Sequence, residues 1–379
     1  MTQQTDLPTH TSWERWVQSE GLLVTQQQLI PDVLTYPLAP WERTGVDATL
    51  LDFTPLEPPG DGRLVHQGTS RYLCEIPTGG TYRAERHMYE EIFYVVAGRG
   101  ATTVWYDGSP KQTFEWQEGS AFSIPLNAWH ELYNASGEEP ARLYACITAP
   151  MVFNMYGNAD FIFGSDATFL DRFDPYDETY FSGKSVRLQD RLIKTNFISN
   201  VRTMGLDEHG RRGPGMNMHS VMANGHFICH LSEFPGQTYK KAHDAGRAER
   251  HRAGLTSEVA YLFLNGEGFD LQWEPGVTPG PGVPFERLDY GAGTILTPGD
   301  GFHQHFNATT DPIRYLVLRF GTLDGGVREA PEPPEAQDER NARQIEFDKE
   351  DPAVWDLFVE ELGKRGLTPN MEEYVGKRA

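Results

Sequence analysis

One set of landmarks occurs twice in this chain in the same order, so two copies of a single folding unit must be accommodated. Gly98-Arg99-Gly100 precedes Trp105 as Gly266-Glu267-Gly268 precedes Trp273, a displacement of 168 (98 to 266, 105 to 273). Pro125, His130 and Asn134 return as Pro298, His303 and Asn307, displaced by 173, while Thr81-Tyr82 returns as Thr238-Tyr239, displaced by 157. Offsets that grow along the chain place insertions between shared strands of the second copy. A length of 379 residues, more than one core usually organises, agrees with two domains.

Short runs rich in aromatic and β-branched residues dominate both copies. Ile92-Phe93-Tyr94-Val95-Val96 and Val259 to Leu264 end at glycines, and Leu143 to Ile147 and Tyr315 to Leu318 are similar. Many short strands separated by Gly, Pro and Asp clusters predict an all-β fold of two antiparallel jelly-roll barrels. Short helices are expected at both termini and in the connector. Thr11-Ser12-Trp13-Glu14 is a capping-box pattern, and Asp351-Pro352 to Leu362, stopped by Gly363, has an N-cap, a first-turn proline and a terminal glycine. A further helical stretch is expected around Ala167 to Arg172, before the loop Gly210-Arg211-Arg212-Gly213-Pro214-Gly215. The organisation predicted is an N-terminal arm with its helix (1–50), a first barrel (51–155), a connector (156–215), a second barrel (216–325) and a C-terminal tether with helix (326–379), the tether centred on Pro331 to Arg343.

With 54 acidic against 33 basic residues, a net charge of −21 argues against nucleic acid and anionic membranes as partners. No apolar run approaches the ~20 residues that span a bilayer, and the first 30 residues lack a basic segment followed by an apolar one. A cytoplasmic location is expected. Three cysteines do not make a disulfide framework; Cys74 and Cys229 sit on equivalent apolar strands and read as buried thiols, with Cys146 the third. No phosphate-binding loop, dinucleotide fingerprint or Gly-x-Ser-x-Gly elbow is present.

Gly119, Pro125, His130 and Asn134 have the spacing of the second cupin motif, with Asn127 in place of its inner glycine; Glu91 and Gly98 match the end of the first motif, and His87 stands at its second histidine. Glu85 occupies the place of the first histidine. The chain therefore resembles the cupin superfamily over roughly Asp52 to Ala149 and Met216 to Phe320, as a bicupin loosely similar to bacterial gentisate 1,2-dioxygenase-like proteins. The resemblance implies a metal-binding barrel, and further association into a homo-oligomer.

The spacing has its own physical logic. Residues two apart on a strand share a face, so Glu85 and His87 are expected to aim into one barrel mouth, with Glu91 and His130 converging from neighbouring strands. Two imidazoles and one carboxylate leave open positions on a divalent metal, a set suited to non-haem Fe(II); Glu85 as a further ligand would suit Mn(II), and Zn(II) is another candidate. Strand alternation sends Glu90 to the opposite, exposed face. Arg83, expected inward beside Glu85 and His87, is the candidate clamp for a substrate carboxylate, and Glu85 or Glu90 the candidate acid or base. Tyr89, Trp105 and Trp129 are candidates for the pocket wall, though each also suits packing. In the second copy His303 and His305 share a face, and His243 and His251 are the candidate partners. Glu258 lies eight residues before Gly266, whereas Glu91 lies seven before Gly98, and a one-residue slip reverses a strand face.

These readings lead to a metal-dependent oxygenase, first an Fe(II) dioxygenase, taking a small aromatic or other organic acid together with dioxygen. A non-redox Mn(II) or Zn(II) decarboxylase, isomerase or lyase is the enzyme alternative, and a non-catalytic small-molecule-binding barrel is the other class. Fold alone does not choose among them.

Overall fold

The computed structural model describes residues 10–52, 68–222, 224–225, 227–244, 259–298, 301–320 and 344–376. Four sheets form two pairs with the same internal strand order. In the first half a large sheet runs Ser70–Ile76, Ala141–Ile147, Glu91–Ala97, Ala121–Ile124, and a smaller sheet runs Thr81–Glu85, Trp129–Asn134, Arg99–Trp105, Gln112–Gln117. In the second half the corresponding orders are Phe227–Phe234, Ile313–Phe320, Tyr261–Phe263, Ile295–Leu296 and His243–Asp244, Phe302–Asn307, Glu267–Gln272, Glu286–Gly291. The fold is thus all-β, two antiparallel jelly-roll barrels, as the duplicated landmarks require.

The flanking segments are woven into both barrels. Val24–Thr25 pairs in parallel with the first large sheet, while Leu29–Ile30, a few residues on, joins the second. From the connector, Phe197–Ile198 extends the first large sheet and Leu192–Lys194 the second. Segments 1–50 and 156–215, set outside the barrels by their composition, thereby exchange strands between them.

The two large sheets face each other across one apolar cluster. Leu73, Ile92, Tyr94 and Cys146 of the first pack with Phe227, Cys229, Leu231, Leu316 and Leu318 of the second. Burying each Leu- or Ile-sized side chain is worth about 1.5–3 kcal/mol, so this contact is apolar enough to hold the barrels as one body. Arg71 is fully buried there and donates to the Leu318 carbonyl. Cys74 and Cys229 are both buried thiols on equivalent strands, but they face opposite ways: Cys74 enters the first barrel's interior and Cys229 the interface.

Helix α1 (Ser12–Glu20) opens with the expected reciprocal Thr11–Glu14 cap, closes on left-handed Gly21, and buries Trp13, Trp16 and Val17. Helices α2 (Ala149–Tyr156) and α3 (Ala159–Gly164) precede the stretch expected to be helical, Ala167 to Arg172, which forms no helix; 169–173 make a single turn in which Phe173 N–H reaches the Phe169 carbonyl. Asn158 starts α3 by accepting from Phe161 N–H, and extended Ser165 ends it. Helix α4 (Pro352–Lys364) has Asp351 as its N-cap but runs through Gly363; the left-handed glycine is Gly366. It lays Val354, Phe358 and Leu362 against Tyr239, Phe269 and Phe306 of the second barrel. The tether Pro331 to Arg343 lies outside the described residues. Among the described residues no helix is long and apolar enough to cross a membrane.

Candidate metal centre

The strand Thr81–Glu85 does not alternate cleanly, and that irregularity shapes the site. His130 pairs with Glu85 and Leu132 with Tyr82, so Arg83 and Ala84 together oppose Glu131. This bulge turns Tyr82 and Glu85 inward and leaves Arg83 and Ala84 exposed. Arg83, expected to face inward, instead stands 3.6 Å from the Glu42 carboxylate at the surface.

Four side chains converge inside the first barrel. The ligand atoms of Glu85, His87 and His130 lie within 4.8 Å of one another, and Glu91 Oε2 is 3.3 Å from His87 Nε2 and 3.5 Å from His130 Nε2. All four residues are buried. Each imidazole is oriented through its other nitrogen: His87 Nδ1 meets the Tyr89 carbonyl at 2.8 Å and His130 Nδ1 the Ala128 carbonyl at 3.2 Å. Those carbonyls only accept, so Nδ1 carries the proton and both Nε2 lone pairs face the carboxylates. The carboxylates are held in the same way, since Tyr72 donates to Glu91 Oε1 and Tyr82 to Glu85 Oε1, each at 2.6 Å.

Burial lowers both histidines to about 4, which keeps them neutral, and raises Glu85 and Glu91 above the ordinary carboxylate range. Glu85 Oε2 and His130 Nε2 have no hydrogen-bond partner among the described residues. Two imidazoles and two carboxyl groups thus crowd together, with His87 Nε2 and Glu91 Oε2 at hydrogen-bond distance and Glu85 Oε2 and His130 Nε2 left unpartnered. A divalent cation resolves that conflict, and the donor set fits one.

The surroundings differ from the expected pocket. Tyr89 stacks on His87 with ring centroids 3.6 Å apart and steadies the ligand ring from a buried position. Trp105 and Trp129 pair across strands and stack, but alternation buries His130, Leu132 and Asn134 and turns Trp129 to the opposite, outer face. There Arg86 lies over Trp129 and Lys111 over Trp105. Glu90 does face away from the site, yet it is buried rather than exposed, paired with Arg172 at 2.8 Å. Asn127 takes the glycine position with φ 56°, a left-handed conformation asparagine tolerates, and its N–H donates to the His87 carbonyl.

Sequence reasoning missed Tyr72, Tyr82 and Arg43. Tyr82 was a repeat landmark whose role depended on the bulge, and Tyr72 shares a strand face with Cys74. Arg43 gives no sequence signal; it is paired with Glu20 at 2.7 Å, and its charge bears on Glu85 and His87.

The second barrel gathers a different set. His243 pairs with His303 as Glu85 pairs with His130, and the His303 and His305 rings are 5.0 Å apart. His251 and Glu258 lie outside the described residues, and Val259, seven before Gly266, holds the position equivalent to Glu91. The carboxylate comes instead from Asp270, which was not anticipated because its counterpart is Thr102. Its Oδ1 stands 2.7 Å from His305 Nδ1, though not aligned for a hydrogen bond. Tyr261 Oη is 3.0 Å from His303 Nε2.

Residues 72–147, which include all four converging side chains, match the family model described as a cupin domain. Auxin-binding protein 4 of Zea mays is 30% identical over 99 residues, 24% of this chain and 48% of that protein, so the match spans about half the length of the curated relative. Among solved structures, a mutant of Bacillus subtilis oxalate decarboxylase is similar at a TM-score of 0.46 and 10% identity, covering 83% of this chain and 87% of that one. The 7S globulin of Momordica charantia is similar at 0.47 and 12% identity, covering 78% and 85%. The cupin-domain match lies within the first barrel, and the second barrel repeats that barrel's strand order.

Proposed function

We propose that this protein is a divalent-metal-dependent bicupin enzyme acting on a small organic acid, with Glu85, His87, Glu91 and His130 holding the metal. The observation that carries the reading is the convergence of four buried side chains, two imidazoles and two carboxyl groups, with Glu85 Oε2 and His130 Nε2 unpartnered among them. Two carboxylates offset the charge of the cation and make a hard, oxygen-rich set, which suits Mn(II) or Fe(II) better than Zn(II). When bound, such a metal supplies a Lewis acid for a substrate carboxyl or carbonyl group. Tyr72 and Tyr82 fix the outer oxygens of Glu91 and Glu85, and burial excludes bulk water. Arg43 is the cation best placed to steer a carboxylate toward Glu85, the role first considered for Arg83.

The reaction class turns on Glu85. With Glu85 as fourth ligand, non-redox decarboxylase, isomerase or lyase chemistry is the first reading. With Glu85 released, His87, Glu91 and His130 form the two-histidine, one-carboxylate set of Fe(II) oxygenases, and their short mutual distances favour dioxygenase chemistry as the second reading.

Metal analysis by inductively coupled plasma mass spectrometry on untagged protein tests the site. Manganese or iron is expected near stoichiometry, lost in His130→Ala and kept in His303→Ala. No retained metal even after reconstitution would sink the enzyme reading and leave a small-molecule-binding barrel. Iron with oxygen-dependent turnover would select the dioxygenase.

A further inference from the structure

Glu91 opens its strand and is the terminal pair of two ladders, opposite Ile124 on one side and Ile147 on the other. Its direction therefore depends on what anchors the chain just before it. Glu90 N–H donates to Thr148 Oγ1 at 2.9 Å, and the Glu90 carbonyl accepts from Thr148 N–H at 3.0 Å. The Glu90 side chain is 7% exposed and is held by Arg172 at 2.8 Å. Adjacent residues at a strand end face opposite ways, so a rotation that moves Glu90 moves Glu91 with it.

The connector that carries Arg172 also supports a second ligand. Asn127 donates from its backbone to the His87 carbonyl at 3.1 Å, and from Nδ2 to the carbonyls of Ser165 at 3.1 Å and Ala167 at 2.7 Å. Residues 165–172 thus hold the neighbours of His87 and of Glu91 together. Their own anchor lies in the second barrel: Asn224 Nδ2 donates to the Arg172 carbonyl at 2.8 Å.

The turn that presents Asn224 is closed directly on the ion pair. Asn224 has φ 50°, a left-handed conformation that asparagine tolerates, and Gly225 N–H donates back to the Met222 carbonyl at 2.9 Å. Gly225 is buried, and a Cβ there would stand 2.3 Å from Arg172 Nη2 and 2.6 Å from Glu90 Oε2. Any side chain at this position must displace the pair, and separating buried charges is costly, so the strand end at Glu90 has to move.

We propose that the Asn224–Gly225 turn of the second barrel sets the geometry of the metal centre in the first, with Gly225 and Arg172 as positioning residues that act on Glu91 through Glu90. The proposal rests on Glu85, His87, Glu91 and His130 being the metal ligands. Both residues act from the face of the strand opposite the centre, and through them the second barrel forms part of the first barrel's metal support.

Mn(II) affinity of the full chain, measured by competition with a fluorescent chelator, tests this together with the electron paramagnetic resonance spectrum of the bound ion. Gly225→Ala is expected to weaken binding about tenfold and to alter the spectrum. Arg172→Gln is expected to do the same, and Arg172→Lys to recover part of the loss. The double variant Gly225→Ala with Arg172→Gln should lose no more than Arg172→Gln alone, because the two residues act along one path. Leu231→Ala, in the apolar contact between the large sheets, loosens the barrels away from Arg172 and should leave the spectrum unchanged. Should circular dichroism show Gly225→Ala to be misfolded, the two Arg172 variants carry the test. Wild-type affinity and spectrum in Gly225→Ala or Arg172→Gln, or an equal loss in Leu231→Ala, would overturn the proposal while the metal centre stands. Wild-type protein that holds no divalent ion would remove the metal-centre reading and this proposal with it.

Discussion

The two barrels share strand order and motif positions, yet their interiors carry different sets of polar side chains. Where the first places Glu85 opposite His130, the second places His243 opposite His303; where the first has Glu91, the second has Val259. The second recovers one carboxylate, Asp270, from a strand that contributes Thr102 in the first. Around these, the first barrel has tyrosine hydroxyls donating to carboxylates, and the second has Lys240 donating to Ser232 beside Tyr315. A duplicated scaffold thus conserves backbone geometry while a few substitutions change the donor set inside it. The charge of the inward-facing side chains, rather than the sheet, decides what each barrel holds.

The strongest test of how separate the barrels are is Arg172→Met. Arg172 pairs with Glu90 beside the metal-site strand, and the second barrel's Asn224–Gly225 turn closes on it, Asn224 Nδ2 donating to the Arg172 carbonyl at 2.8 Å. Removing one member of a buried ion pair costs about 3–5 kcal/mol. Chemical denaturation should show a loss of that order in one transition for the whole molecule. Two resolved transitions would break the picture of a single body.

The contrast in charge predicts a pH effect located in the second barrel. Burial raises Asp270 from 3.8 to about 7, so the folded protein keeps a proton that the unfolded chain releases near pH 4. Between these values the folded state binds more protons, and this group's contribution to stability declines as pH rises. His303, lowered to about 3 by burial, contributes the opposite slope between about 3 and its ordinary value, so the comparison must be made against a variant. Asp270→Asn should gain stability relative to wild type as pH rises from 4 to above 7, by up to about 4 kcal/mol. Equal pH profiles of urea midpoints for the two proteins would contradict the buried, protonated acid.

The smallest effect sharpens the comparison between ligand supports. Tyr72→Phe deletes the hydroxyl that orients Glu91 and should weaken metal binding about tenfold. Tyr261→Phe, which removes the corresponding contact to His303 in the second barrel, should leave metal affinity unchanged. Competition with a fluorescent chelator measures both, and equal losses would mean that the second barrel shares the metal.

Much of this was legible in the chain because repetition and side-chain spacing are local properties. The landmarks around Gly98 and around Gly266, the Thr11–Glu14 cap and the His87–Glu91 spacing each rest on residues within a turn or a strand of one another, and His130 on its own local motif from Gly119 to Asn134. Glu85 lies inward beside His87 as alternation predicts because the bulge sits before it, at Arg83 and Ala84, and its one extra residue reverses the faces N-terminal to it and expels Arg83. Trp129 faces outward because it adjoins inward His130 and a neighbour in sequence on a strand faces the other way, and Trp105, its cross-strand partner, shares that outer face. Glu90 obeyed alternation, and its burial came from Arg172, 82 residues away.

By itself the sequence determined the duplication, the all-β class and the candidate metal donors, since each depends on period, order and chemical type. Only the tertiary structure decided that Tyr72, Tyr82 and Arg43 serve the first centre, that Asp270 replaces a missing glutamate in the second, and that the arm and connector exchange strands between barrels. Those outcomes depend on strand register and on contacts between residues far apart in the chain, and register is set by the packing of whole sheets rather than by any local run.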